Sequence, residues 1–231
     1  MREHPLLMKG PLVRATLEGR KTQTRRPLRN QPPIGLGLVR VCGPWAEFEN
    51  DVPPLKKFST KGPLGQTGDR LWVRETWQHF QNVGQRAAES YVTKDPEWHC
   101  YDCARAARLV LPEYQRFPAN CFYRADESNP RTKPLSGKWR PSLLMPRWAC
   151  RLVLPLVSVR VERVQDITEE DARAEGLRRT ENGWTDGTTG YDVTSARAAF
   201  QELWASIYGQ ESWNANPWVW VAEWEDIEVS R

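Results

Sequence analysis

Apolar and polar residues alternate most clearly in ACRLVLPLVSVRVERV (149–164), where Val, Leu and Arg trade places, and this predicts a long strand. Pro155 within it predicts a bend or an edge position, because proline offers no N–H to a ladder. PWVWVAEWEDIEV (217–229) predicts a closing strand with Trp218, Trp220, Ala222 and Trp224 on one face. LWVRETW (71–77), after the Gly68-Asp69 turn, predicts another strand. Shorter strand signals lie at PLLM (5–8), Leu38–Val41 and CFYR (121–124). Helical spacing falls at 11–18, opened by Pro11 and stopped by Gly19. A second helix, 169–175, is announced by Thr168 as N-cap with acidic residues behind it, and stops at Gly176. Thr194–Tyr208 is amphipathic, with Ala198, Leu203, Trp204 and Ile207 turned to the core. Residues 27–67 read as mostly loop, 78–138 as a polar insertion with a helical stretch near Cys103–Leu111, and 178–191 as loop.

Strands outnumber helices, so the fold class is α+β. The terminal strands are expected to pair and close a small barrel, flanked by helices. All 231 residues are read as one domain, 1–231, with insertions at about 27–66, 78–138 and 178–192. The most apolar run, Leu152–Val161, is interrupted by Arg160, so no membrane span is expected. The N-terminus MREHPLLMKG lacks a signal-peptide core, which makes the cytoplasm the default; a monomer is expected. Five cysteines give no disulfide framework. The net charge is only +4, but seven Lys/Arg lie between Lys9 and Arg29 against the single Glu18. Such a patch attracts phosphate or is simply a solvated basic face. Twelve tryptophans serve a core, a base-stacking surface, or both.

Gly19-Arg20-Lys21-Thr22-Gln23-Thr24-Arg25-Arg26 resembles the signature loop of the ASCH family, a branch of the PUA-like barrels, with Gly19, Lys21 and Arg26 on the pattern Gly-x-Lys-x-x-Glu-x-Arg. Thr24 stands where many members have Glu, a departure that resembles the small acetylcytidine amidohydrolases, in which the position is Thr. Gly68–Val73 resembles the family's Gly-Asp-x-Leu-x-Val strand, 167–176 resembles the helix that carries the amidohydrolases' Glu, here Glu175, and Trp218–Ile227 resembles the last barrel strand. The whole is similar to the longer ASCH-type proteins of phages and prophages. The resemblance implies a PUA-like mixed barrel in which Lys21, Thr24 and Glu175 meet.

In that arrangement Thr24 is the nucleophile, Lys21 its base and Glu175 the acid or polariser, on an acylated exocyclic amine of a pyrimidine. Lys21 must then lose its proton well below the ordinary value, as burial and the charges of Arg20, Arg25 and Arg26 favour. The leading expectation is thus an amidohydrolase on a modified nucleobase, ahead of a ribonuclease. Without catalysis, the same residues make a module that binds a base or nucleic acid, RNA more readily than DNA. A third reading is a phage-derived interaction protein with a vestigial pocket. Arg20, Arg25, Arg26, Trp72 and Arg74 are the ligand-binding candidates. Glu75 is a reserve acid, read as an exposed strand residue. The chemistry requires no cofactor, although Cys100, Cys103 and Cys121 suggest a structural zinc, with His99, Cys42 or Cys150 as fourth ligand; free cysteines are the alternative.

Overall fold

The computed structural model describes residues 1–79, 121–126, 139–185 and 192–229. In chain order its elements are β1 (Glu3–Leu7), α1 (Gly10–Leu17), β2 (Gln23–Pro27), β3 (Gly37–Cys42), β4 (Trp45–Glu49), β5 (Lys57–Lys61), β6 (Arg70–Arg74), β7 (Trp77–His79) and β8 (Cys121–Tyr123). There follow β9 (Leu152–Arg163), α2 (Glu169–Ala174), β10 (Arg178–Arg179), β11 (Trp184–Thr185), α3 (Ala196–Tyr208), α4 (Gln210–Asn214), β12 (Trp218–Trp224) and β13 (Glu228–Val229). The fold is α+β and strand-rich, with few helices. The helix expected near Cys103–Leu111 lies outside the described residues.

The main sheet runs β1-β6-β9-β12-β2, with β13 also on β9. The expected pairing of the terminal strands is not found among the described residues, and the barrel is not closed. The reason lies in β12, whose two edges are already occupied by β9 and β2. Residues 27–67 also differ from expectation. They hold the antiparallel meander β3-β4-β5, whose short alternations WAEFE and KFSTK turn Ala46, Phe48 and Thr60 inward. The Phe48 ring meets Trp218 edge-on at 5.2 Å.

The chain divides into two compact units. Met1–Pro5, Ala15–Leu71 and Leu154–Ile227 form the first; Leu6–Arg14, Trp72–Val153 and Glu228–Arg231 form the second. The second has a core of Trp77, Tyr123, Met145, Cys150 and Val153. No described helix is long and apolar enough to cross a membrane.

Local signals explain the helices of the first unit. Thr168 Oγ1 accepts the Asp171 N–H at 3.1 Å and starts α2. Ser195 Oγ caps α3 through the Ala198 N–H at 3.1 Å. The Glu169 carboxylate adds a second cap, accepting the Ala196 and Arg197 N–H groups at 3.0 and 3.2 Å. One acidic residue of α2 thereby fixes the start of α3.

Candidate functional site

Strand register sorts the signature residues onto two faces. Gln23 lies opposite Glu223, Thr24 opposite Ala222 and Arg25 opposite Val221; across β12, Val221 meets Arg160 and Val219 meets Glu162. Side chains alternate along a strand, so Gln23, Arg25, Arg160, Glu162 and Glu223 share one face while Thr24 projects to the other. α2 covers the first face with Asp171 and Glu175.

Arg25 is the centre of that face. Its buried guanidinium reaches Glu162 at 2.7 Å, Asp171 at 3.1 Å and Glu175 at 3.1 Å. Glu175 gives its other oxygen to Lys21 Nζ at 2.7 Å. Lys21 also donates to the carbonyls of Gln23 and Glu175 at 2.8 and 2.9 Å, so its three protons all have acceptors. Arg160 closes the network on Glu162 at 3.0 Å, Asp171 at 3.1 Å and Glu223. Gln23 Nε2 ties in through Asp171 Oδ1 at 3.2 Å. Three cations and four carboxylates thus interlock across β2, β9, β12, α2 and the residues flanking them.

Burial pushes the Lys21 ammonium down from its ordinary 10.5; Glu175 opposes this, while Arg26 and Arg25 reinforce it. Burial alone would raise the Asp171 carboxyl, but Arg25, Gln23 and Arg160 outweigh it and hold it below the ordinary 3.8. Gly176, at φ +98°, is required where α2 ends: an added Cβ would stand 2.8 Å from Lys21 Cβ and 2.9 Å from Ala15 Cβ. Beside the network lies an opening of about 560 Å³, lined by Thr22, Gln23, Asp171, Ala174, Glu223 and Trp224 among others, with Glu170, Glu225 and Asp226 at its rim.

The structure therefore brings Lys21 and Glu175 together, 154 residues apart, and leaves Thr24 on the opposite face with no hydrogen bond to Lys21. The binding arginines are not a free cationic patch either. Arg25 is enclosed by carboxylates, Arg20 is held by Glu18 and by the Gly176 carbonyl at 2.6 Å, and Arg26 donates to Tyr208 Oη at 3.3 Å. Trp72 and Arg74 belong to the second unit, where the Arg74 guanidinium lies 5.3 Å from the Trp72 ring centre and donates to the Leu143 carbonyl. Cys100, Cys103 and His99 lie outside the described residues; Cys121 is buried and in no disulfide, and no metal-holding group occurs among the described residues.

Glu75 departs from its reading as an exposed acid. It is 1% exposed and pairs with Arg151 at 2.9 Å, and Arg151 also holds Asp126 at 2.6 Å. The Arg151 guanidinium sits 4.0 Å from the Tyr123 ring centre. Burial raises the Glu75 carboxyl above its ordinary 4.5 despite Arg151.

The roles of Arg160, Glu162 and Asp171 were missed from sequence. Their signal was there: Arg160 and Glu162 are two alternate residues near the end of a strand whose first half is apolar enough to be buried, which demands partners. No family model, curated protein or solved structure matches the chain.

Proposed function

We propose that this chain is a PUA-like, ASCH-type module that holds a base or nucleoside at the opening beside Lys21 and Glu175, and that binding rather than hydrolysis is its task. One observation carries the choice. The groups that hydrolysis needs are spent elsewhere: every Lys21 proton has an acceptor, and Thr24 lies across the sheet. The opening, about 560 Å³, falls in the size range of small-molecule sites. Its carboxylates accept hydrogen bonds of the kind an exocyclic amine offers. The pairing of Arg20, Arg25 and Arg26 supports a nucleoside there over a phosphate backbone.

The amidohydrolase reading has one observation in its favour, the buried contact between Glu175 and a lysine whose proton affinity burial lowers. Calorimetric titration with cytidine, acetylcytidine and uridine, with chromatography of the mixtures, separates the two. Saturable binding without product is expected. Ala174→Leu, which fills the opening, should weaken it at least tenfold. Absence of binding for all three nucleosides at millimolar concentration removes the proposal. Acetate release that stops in Thr24→Val replaces it with the enzyme.

A further inference from the structure

Arg20, Arg25, Arg40, Arg160, Arg163 and Arg197 of the first unit are tied to carboxylates or carbonyls. Two that are not, Arg173 and Arg179, flank one indole. Arg173, Arg178 and Arg179 are exposed, and none makes an ion pair or side-chain hydrogen bond among the described residues. β10 and β11 form a short antiparallel ribbon with Arg178 opposite Thr185 and Arg179 opposite Trp184. From the end of α2, the Arg173 guanidinium lies 5.2 Å from the centre of the half-buried Trp184 ring. The indole thus has one arginine against it and another as its cross-strand neighbour.

Among the described residues from 173 to 192 there are three carboxylates. Glu175 is consumed by Lys21 and Arg25, and Asp192 accepts the Thr180 hydroxyl at 2.5 Å. Glu181, in the ribbon's turn, is the remaining exposed carboxylate of 173–185. The turn is held by the Thr180 N–H on the Gly183 carbonyl at 2.8 Å, so the arginines stand on a fixed frame.

We infer that this ribbon is a docking surface for single-stranded nucleic acid, with phosphates on Arg173 and Arg179, a base against Trp184, and Arg178 turned to the other face. Guanidinium forks match phosphate oxygens, and a half-exposed indole offers a stacking face to any base. An acidic peptide would use the charges but has no need of the ring. The inference extends the nucleoside reading by giving the ligand a backbone, and it can fail separately.

The test is fluorescence anisotropy of 5′-labelled RNA and DNA dodecamers with the whole chain at 50–200 mM NaCl. Two phosphate contacts give a slope of log K against log salt of about −1.4, at roughly 0.7 per contact on single strands. Replacing both arginines at the indole, Arg173→Ala with Arg179→Ala, should weaken binding at least tenfold at 100 mM salt and flatten the slope by about 1.4, while Arg178→Ala should leave both unchanged. Trp184→Ala should weaken binding without changing the slope; melting curves confirm that each variant is folded. Cytidine binding should be unchanged in the ribbon variants, so its loss with dodecamer binding intact would sink only the pocket. Three results overturn the inference: no dodecamer binding at 50 mM salt, wild-type binding by the double arginine variant, or equal competition by polyglutamate with Trp184→Ala silent.

Discussion

Each compact unit buries an arginine among carboxylates, and the two clusters solve the same problem differently. In the first, Arg25 faces Glu162, Asp171 and Glu175, and a second buried cation, Lys21, shares Glu175. In the second, Arg151 faces Glu75 and Asp126 among the described residues, with an aromatic ring across its plane. Burial and cation number set the outcome together, since the Asp171 side chain is 22% exposed and the Glu75 side chain 1%. Asp171, beside Arg25 and Arg160, is held ionised to lower pH, whereas Glu75, buried with one cation, is pushed toward its neutral form. The second cluster can relieve a lost partner by taking up a proton. In the first, the acids that Arg25 leaves still face Arg160 and Lys21 but stay in a buried network built around the missing charge.

Removing the central arginines puts the largest strain on this contrast. Arg25→Met should cost about 3–5 kcal/mol, the usual penalty for breaking a buried ion pair from one side. Arg151→Met should cost roughly 1.5–3 kcal/mol, the scale of hydrogen bonds to charged groups, because Glu75 can protonate and Asp126 is partly solvated. Urea unfolding at pH 7 measures both, and equal losses would erase the distinction.

Acid titration sharpens it further. Asp171 contributes stability above pH 3.8 that is lost as pH falls through its lower folded value, so Asp171→Asn should flatten the acid limb of the stability profile. Glu75 runs the other way: its contribution is present below pH 4.5 and lost as pH rises through its elevated folded value. Glu75→Gln should therefore flatten the profile above pH 4.5. Urea midpoints from pH 3 to 8 check both, and a change on the same limb in both variants would contradict the contrast.

The smallest effect isolates local from networked support. Glu169→Ala removes the shared cap on α3 and should cost about 1 kcal/mol, with faster hydrogen exchange at Ala196 and Arg197. If the loss approached that of Arg25→Met, the contact of α2 with the start of α3 would matter as much as the network.

What could be read from the sequence was local. Thr168 as N-cap, Gly176 as stop and the long alternation of β9 are decided within a few residues, and each holds in the structure. The Lys21–Glu175 encounter came only through the family likeness, since nothing local joins positions so far apart. Alternation, applied to Gln23-Thr24-Arg25, would have separated Thr24 from Arg25, but the residues read as a loop and not a strand. Of the meander, β3 was signalled at Leu38–Val41, while β4 and β5 were lost among Pro and Gly because their alternating runs are five residues long. Glu75 was misplaced because its partner Arg151 is 76 residues away.

Lys21 and Glu175, separated by 154 residues, also impose an order of events during synthesis. At about 5–20 residues per second, the interval between their translation is roughly 8–30 s. Throughout that time the ammonium, like the Arg25 guanidinium, has none of its eventual carboxylate partners, all of which lie at 162–175. The first half of β2 must therefore wait, solvated, beside the ribosome, and the interior of this unit closes only when the last third of the chain has been made.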